Sequence, residues 1–151
     1  MKLAHYLGLL HRSQTALGDA FREVAAAHRA EPDVEHLCRQ LASKCDGHAE
    51  RLQPFVARYG AEADDEPDRL HTAIFTGVRT GGLGLLRDLH DLYLMAAECS
   101  ISWMIVGQAA RAARDDDLAV VVAQCEGETA LQMKWLVTRM KQAAPQALVV
   151  A

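Results

Sequence analysis

Two short stretches hold the residue types from which a metal or redox centre is made. Cys45-Asp46-Gly47-His48 recurs in altered form eighty residues later as Cys125-Glu126-Gly127-Glu128. In each copy a cysteine and a nitrogen or oxygen donor stand three residues apart, which on an α-helix brings them close to one face. Imidazole and carboxylate donors suit iron, manganese or zinc, and thiols are softer ligands suited to zinc or copper. A further candidate is Glu98, the one charged side chain between Leu92 and Ala110, with Leu94, Met95, Ile101 and Ser102 about one helical turn away. A carboxylate in such a run needs a partner. Near the start of the chain the polar candidates are His11 and Gln14.

The same residues have a plainer reading. A cysteine on a helical stripe most often serves as a small core residue. His48 then hydrogen-bonds to Gln14 inside a core, and Glu98 takes Gln132, His90 or a water as partner. Gly47 and Gly127 mark places where two helices approach closely, and the His90-Asp91 pair is solvated.

The elements that position these side chains are helices. Leu3, Leu7, Leu10, Gln14, Leu17, Phe21, Val24 and His28 alternate spacings of four and three, the pattern of an interior bundle seam. Glu31-Pro32-Asp33 ends that helix, because the residue before a proline avoids helical geometry, and Asp33 caps the next. The second helix carries Leu37, Leu41, Cys45, His48, Leu52 and Phe55 on one stripe, and Pro54 is expected to kink or break it. Gly60 to Glu66 reads as a loop. Pro67 to about Val78 reads as a short crossover helix closed by the glycines at 81, 82 and 84. The third helix, from Leu83 to about Arg114, is the most apolar. The fourth starts at Leu118 after an aspartate turn and runs out near Pro145, leaving an apolar tail expected to pack against the bundle or a partner. The whole describes one all-α domain over residues 1–151.

If the helices of each hairpin run antiparallel, residues equidistant from the turn share a height. That rule places His48 level with Gln14 and His11 about one turn away, and Glu98 level with Gln132 with Glu128 about one turn off. Gly8-Leu9-Leu10 against Gly84-Leu85-Leu86 supports an internal duplication.

Two helical hairpins joined by a long crossover, with inward histidine and carboxylate donors at mid-bundle, resemble the ferritin-like superfamily of four-helix bundles. The resemblance covers nearly the whole chain at the level of architecture. In metal-binding members a Glu comes from each of two helices and a Glu-x-x-His pair from each of the other two. The resemblance implies that Cys45-x-x-His48 and Cys125-x-x-Glu128 stand in place of those pairs, with Glu98 from the third helix and His11 or Gln14 from the first. No Glu-x-x-His is intact. The expectation is a ferritin-like protein holding iron, manganese or zinc, or a small redox centre, with His48, Glu98, Glu128 and His11 as the ligand set. The alternatives are a metal-free bundle acting as an interaction or scaffold module, and a polar interior surrounding a small organic ligand.

Composition narrows the partners. A net charge of -4 comes from 16 basic and 20 acidic residues with neither sign in a long block, and aromatics make up 5%. A nucleic-acid partner is therefore not expected. The Met1-Lys2-Leu3-Ala4-His5 start leads directly into a periodic helix, and the four cysteines fall inside helices, so the expected address is cytoplasmic. Glu98 and the polar residues around it argue against a membrane span in the third helix. There is no nucleophile elbow, phosphate loop or paired-cysteine zinc motif, which argues against classical hydrolase and nucleotide chemistry. The apolarity of the third helix, with Trp103 and Trp135, leads to an expected homodimer.

Overall fold

A computed structural model describes residues 2–60 and 75–150. Four long α-helices, α1 (Leu3–Ala27), α2 (Pro32–Tyr59), α3 (Gly81–Ala112) and α4 (Asp116–Pro145), are followed by a π-helical turn, Gln146–Val150. No strand occurs among the described residues. The fold is all-α, as the periodicity requires.

Local chemistry sets the boundaries. Pro32 occupies the first turn of α2, where its missing N–H costs nothing, and Gly60 ends the helix in the left-handed conformation at φ 62°. Asp115 caps α4 by accepting from Leu118 N at 3.1 Å, and Asp116 and Asp117 place negative charge in its first turn. Two expectations are corrected. α2 runs uninterrupted through Pro54 to Tyr59, so no break occurs there. The crossover helix expected over 67–78 lies mostly outside the described residues, and its described part, from Phe75 onward, is not helical.

The helices form one core, with Leu7, Leu10, Phe21, Leu52, Leu92 and Trp103 among its fully buried members. α1 packs chiefly on α2 and α3 on α4, with α1 also against α3 and α2 against α4. Polar ties show which ends meet. His28, just past α1, lies with Nε2 2.8 Å from Asp88 Oδ2 near the start of α3. Arg139, late in α4, donates to Asp33 and Glu31 at 2.7 and 3.0 Å, at the α1–α2 turn. At the other end, Tyr59 Oη and Arg58 donate to Asp115 Oδ2 at 2.7 and 2.9 Å. The end of α2 and the start of α3 therefore lie at opposite ends of the bundle.

The apolarity of α3 resolves into two rows. Leu85, Leu89, Leu92, Ala96, Cys99, Trp103, Val106 and Ala110 alternate spacings of four and three and are all buried. Leu83, Leu94, Ile101 and Met104 are 41–57% exposed on the other side. Trp103 belongs to the inner row, and Trp135 packs partly buried against the core. The last turn carries Leu148, Val149 and Val150 at 63–83% exposure, so these three side chains of the tail are not packed away. No described helix is long and apolar enough to cross a membrane.

Candidate functional site at mid-bundle

Halfway along the bundle each helix turns polar side chains inward. α1 supplies Gln14, α2 supplies Cys45 and His48, α3 supplies Cys99, Ser102 and Trp103, and α4 supplies Cys125, Thr129 and Gln132, all buried. The centre is His48. Its Nδ1 lies 3.1 Å from Gln14 Oε1, its Nε2 lies 2.7 Å from Glu128 Oε2, and its ring meets Trp103 edge-on with centroids 5.8 Å apart. His48 and Glu128 are the equivalent positions of the two sequence copies.

Burial first, and the positive charges of Arg51 and Lys44, hold the His48 imidazole below its usual range, against the raising effect of Glu128. The hydrogen bond from His48 in turn holds the Glu128 carboxyl low, aided by Lys44 and Arg51. A neutral imidazole beside an ionised carboxylate carries its proton on Nε2 and donates it to Glu128. Nδ1 is then an acceptor, which calls for the N–H end of the Gln14 amide. That orientation, related by a half-turn of the amide, gives an acceptor to a Gln14 N–H that is otherwise buried without one.

Two further buried polar atoms at this level have no hydrogen-bond partner: Trp103 Nε1 and Gln132 Oε1. Gln132 donates its Nε2 to Cys45 Sγ at 3.6 Å. All four cysteines are buried and free. Desolvation pushes the thiols of Cys38 and Cys45 up to about 12 and that of Cys125 to about 11, and raises Cys99 further. Protonated thiols at neutral pH are poor nucleophiles and poor metal ligands. Arg51 bridges α2 to α4 through Cys125 Sγ and Gln124 Oε1.

Of the four expected ligands, the structure brings two together. His48 and Glu128 are in direct contact, with both ring nitrogens of His48 engaged. Glu98 is partly buried on α3 and makes no hydrogen bond or ion pair among the described residues, and the His11 ring is partly exposed on α1 and likewise engages none. No group of three or more His, Cys, Asp or Glu side chains that could hold a metal occurs among the described residues. Among the described residues the expected set is thus reduced to two adjoining donors, His48 and Glu128. Gly47 and Gly127 are also not points of close helix approach, since a Cβ added at either meets nothing within 4 Å.

Sequence reasoning missed a second polar centre. Asp88, fully buried, accepts from His28, from the backbone N–H of Arg79 at 3.0 Å and from the Arg79 guanidinium at 2.8 Å. The same guanidinium reaches Asp91 at 2.9 Å, so Asp91 is buried in a network and not solvated. Gly84 makes room for it: a Cβ there would stand 2.9 Å from Arg79 Cβ and 3.1 Å from its carbonyl carbon. The available signal was Asp88 falling on the same row as Leu85 and Leu92.

No family model, curated protein or solved structure matches the chain.

Proposed function

We propose that this chain is a ferritin-like bundle of two antiparallel hairpins that works without a metal, as an interaction module. One observation carries this reading: His48 Nε2 and Glu128 Oε2, the positions that family resemblance assigns to metal ligands on α2 and α4, are hydrogen-bonded to each other at 2.7 Å. A bridging ion needs that space, and the other expected donors, Glu98 and His11, stand elsewhere. The histidine and carboxylate then serve to hold α2 to α4 across the bundle. Four free, buried thiols support a reducing, cytoplasmic setting.

A second reading keeps the metal. His48 and Glu128 already offer one nitrogen and one carboxylate oxygen within reach of a single iron, manganese or zinc ion, and the Glu128 side chain is 36% exposed, which gives an ion a way in from solvent. The ion would have to displace the hydrogen bond between them. Elemental analysis of untagged protein purified without chelator separates the two. The metal-free reading predicts far less than one metal per chain and no saturable uptake of iron, manganese or zinc added anaerobically. Near-stoichiometric metal that disappears in His48→Ala would overturn it.

A further inference from the structure

The outer face of α3 is organised as closely as its inner one. Leu83, Arg87, His90, Leu94, Ala97, Ile101, Met104 and Gln108 follow one another at alternating spacings of four and three, the repeat by which one helix packs along another. Leu83, Leu94, Ile101 and Met104 lie 57, 41, 57 and 50% exposed along that row. A helix apolar on two opposite faces belongs between two partners, and among the described residues α3 packs on α4 and α1, with the last turn against its start, while Leu83, Leu94, Ile101 and Met104 stay exposed.

The charges beside the row identify the second partner. Arg87 and Glu98 are eleven residues apart, close to three full turns, and so lie on the same flank of the stripe. Neither has an ion-pair partner among the described residues. Among the described residues the Arg87 guanidinium has one hydrogen bond, to His90 Nδ1 at 2.9 Å. When two copies of a helix pair antiparallel about a twofold axis, each flank faces the same flank of the other copy at the mirrored height. Setting Leu83 against the partner's Ile101 places His90 opposite the partner's Leu94, and Arg87 beside the partner's Ala97 and Glu98. The arrangement makes two ion pairs and covers the apolar row in both copies. It also brings the partner's Met104 toward the start of α3. There Val78 is 43% and Leu148 63% exposed, and Gly82 lies close to Ala147 of the last turn, which extends the patch.

We infer that this face binds a second copy of the chain, α3 antiparallel to α3, with Arg87 of each protomer paired to the partner's Glu98. The inference deepens the interaction-module reading and rests on it. The test is sedimentation equilibrium of the full chain over a concentration series, with four variants. The expected result is a wild-type dimer, an Ile101→Glu monomer of unchanged helicity by circular dichroism, and dimer dissociation constants raised at least tenfold in Arg87→Glu and in Glu98→Arg. Combining both changes restores the dimer to near wild-type affinity, because the exchanged charges again face each other. A wild-type monomer, an Ile101→Glu dimer, or a double charge exchange that fails to recover affinity would overturn it. Bound metal would instead refute the metal-free reading while leaving these outcomes to judge the interface.

Discussion

Among the described residues two buried histidines, His28 and His48, each lie against a carboxylate at nearly the same distance, and the two pairs differ in what surrounds them. At the end of the bundle, Asp88 takes donors from His28, the Arg79 N–H and the Arg79 guanidinium, and no fully buried side-chain nitrogen or oxygen of that network is left without a partner. At mid-bundle, His48 bonds to Glu128 and Gln14, yet Trp103 Nε1 and Gln132 Oε1 stay unpaired beside it and Glu128 reaches solvent. A fully satisfied buried network fixes architecture, whereas polar groups left unpaired in a core mark a place not optimised for stability alone. The first pair ties the start of α3 to the end of α1, and Arg79 joins the segment before α3 to the same carboxylate. The second occupies the place where the sequence pattern led to the expectation of a metal centre.

The contrast can be broken most forcefully at Asp88. Asp88→Ala leaves the His28 ring and the Arg79 backbone N–H without their acceptor, with the Arg79 guanidinium held by Asp91 alone, and unfolding in urea should show a loss of about 1–3 kcal/mol for each of the two donors left unpaired. His48→Gln keeps a hydrogen-bonding side chain between Gln14 and Glu128, and should cost about 1–2 kcal/mol. A loss at His48 equal to that at Asp88 would erase the distinction between the two centres.

A difference in pH response sharpens the comparison. The pKa values of His48 and Glu128 are both lowered on folding, so the unfolded chain binds more protons than the native one as pH falls. The stabilisation from His48 is complete above the ordinary imidazole range, near 6.5, and is lost as pH drops below it. The Glu128 contribution, discounted for its exposure, is lost at lower pH still. Urea midpoints measured from pH 8 to pH 5 should therefore fall, and the part of the fall that begins near 6.5 should vanish in His48→Gln. A variant with an unchanged pH profile would place the acid sensitivity elsewhere.

The smallest expected effect has the opposite sign. Gly47 and Gly127 sit within α2 and α4 with open space where a Cβ would go. Replacing either by alanine should stabilise the bundle by up to about 1 kcal/mol through helix propensity. Thermal melts that show destabilisation would mean that these glycines accommodate something.

Part of the site was legible in the sequence because it depends on distance along helices. Equal separation from the α1–α2 turn put His48 level with Gln14, and the two atoms are in contact. The eighty-residue repeat likewise pointed to His48 and Glu128 as counterparts. What was not legible depends on how each helix is rotated about its axis. α3 carries an apolar row on both faces, so its pattern does not say which side faces inward, and Glu98 was assigned to the interior when it lies nearer the outer row. His11 falls one turn from a true interior position but on the edge of α1. Asp91 reads with His90 as a solvated pair in the sequence, and Asp88 is not singled out there. Their burial follows from Arg79, which lies outside the helix and is brought against it by Gly84.

The most direct test of the account is the protonation state of His48, read from side-chain nitrogen NMR spectra of uniformly labelled protein at pH 7. A neutral ring protonated at Nε2 and not at Nδ1, with that single tautomer lost in Glu128→Ala, is the predicted result. A ring that exchanges freely between tautomers, or one with the nitrogen shift of a metal-bound imidazole that reverts on adding chelator, would contradict the direct His48–Glu128 bond on which the metal-free reading stands.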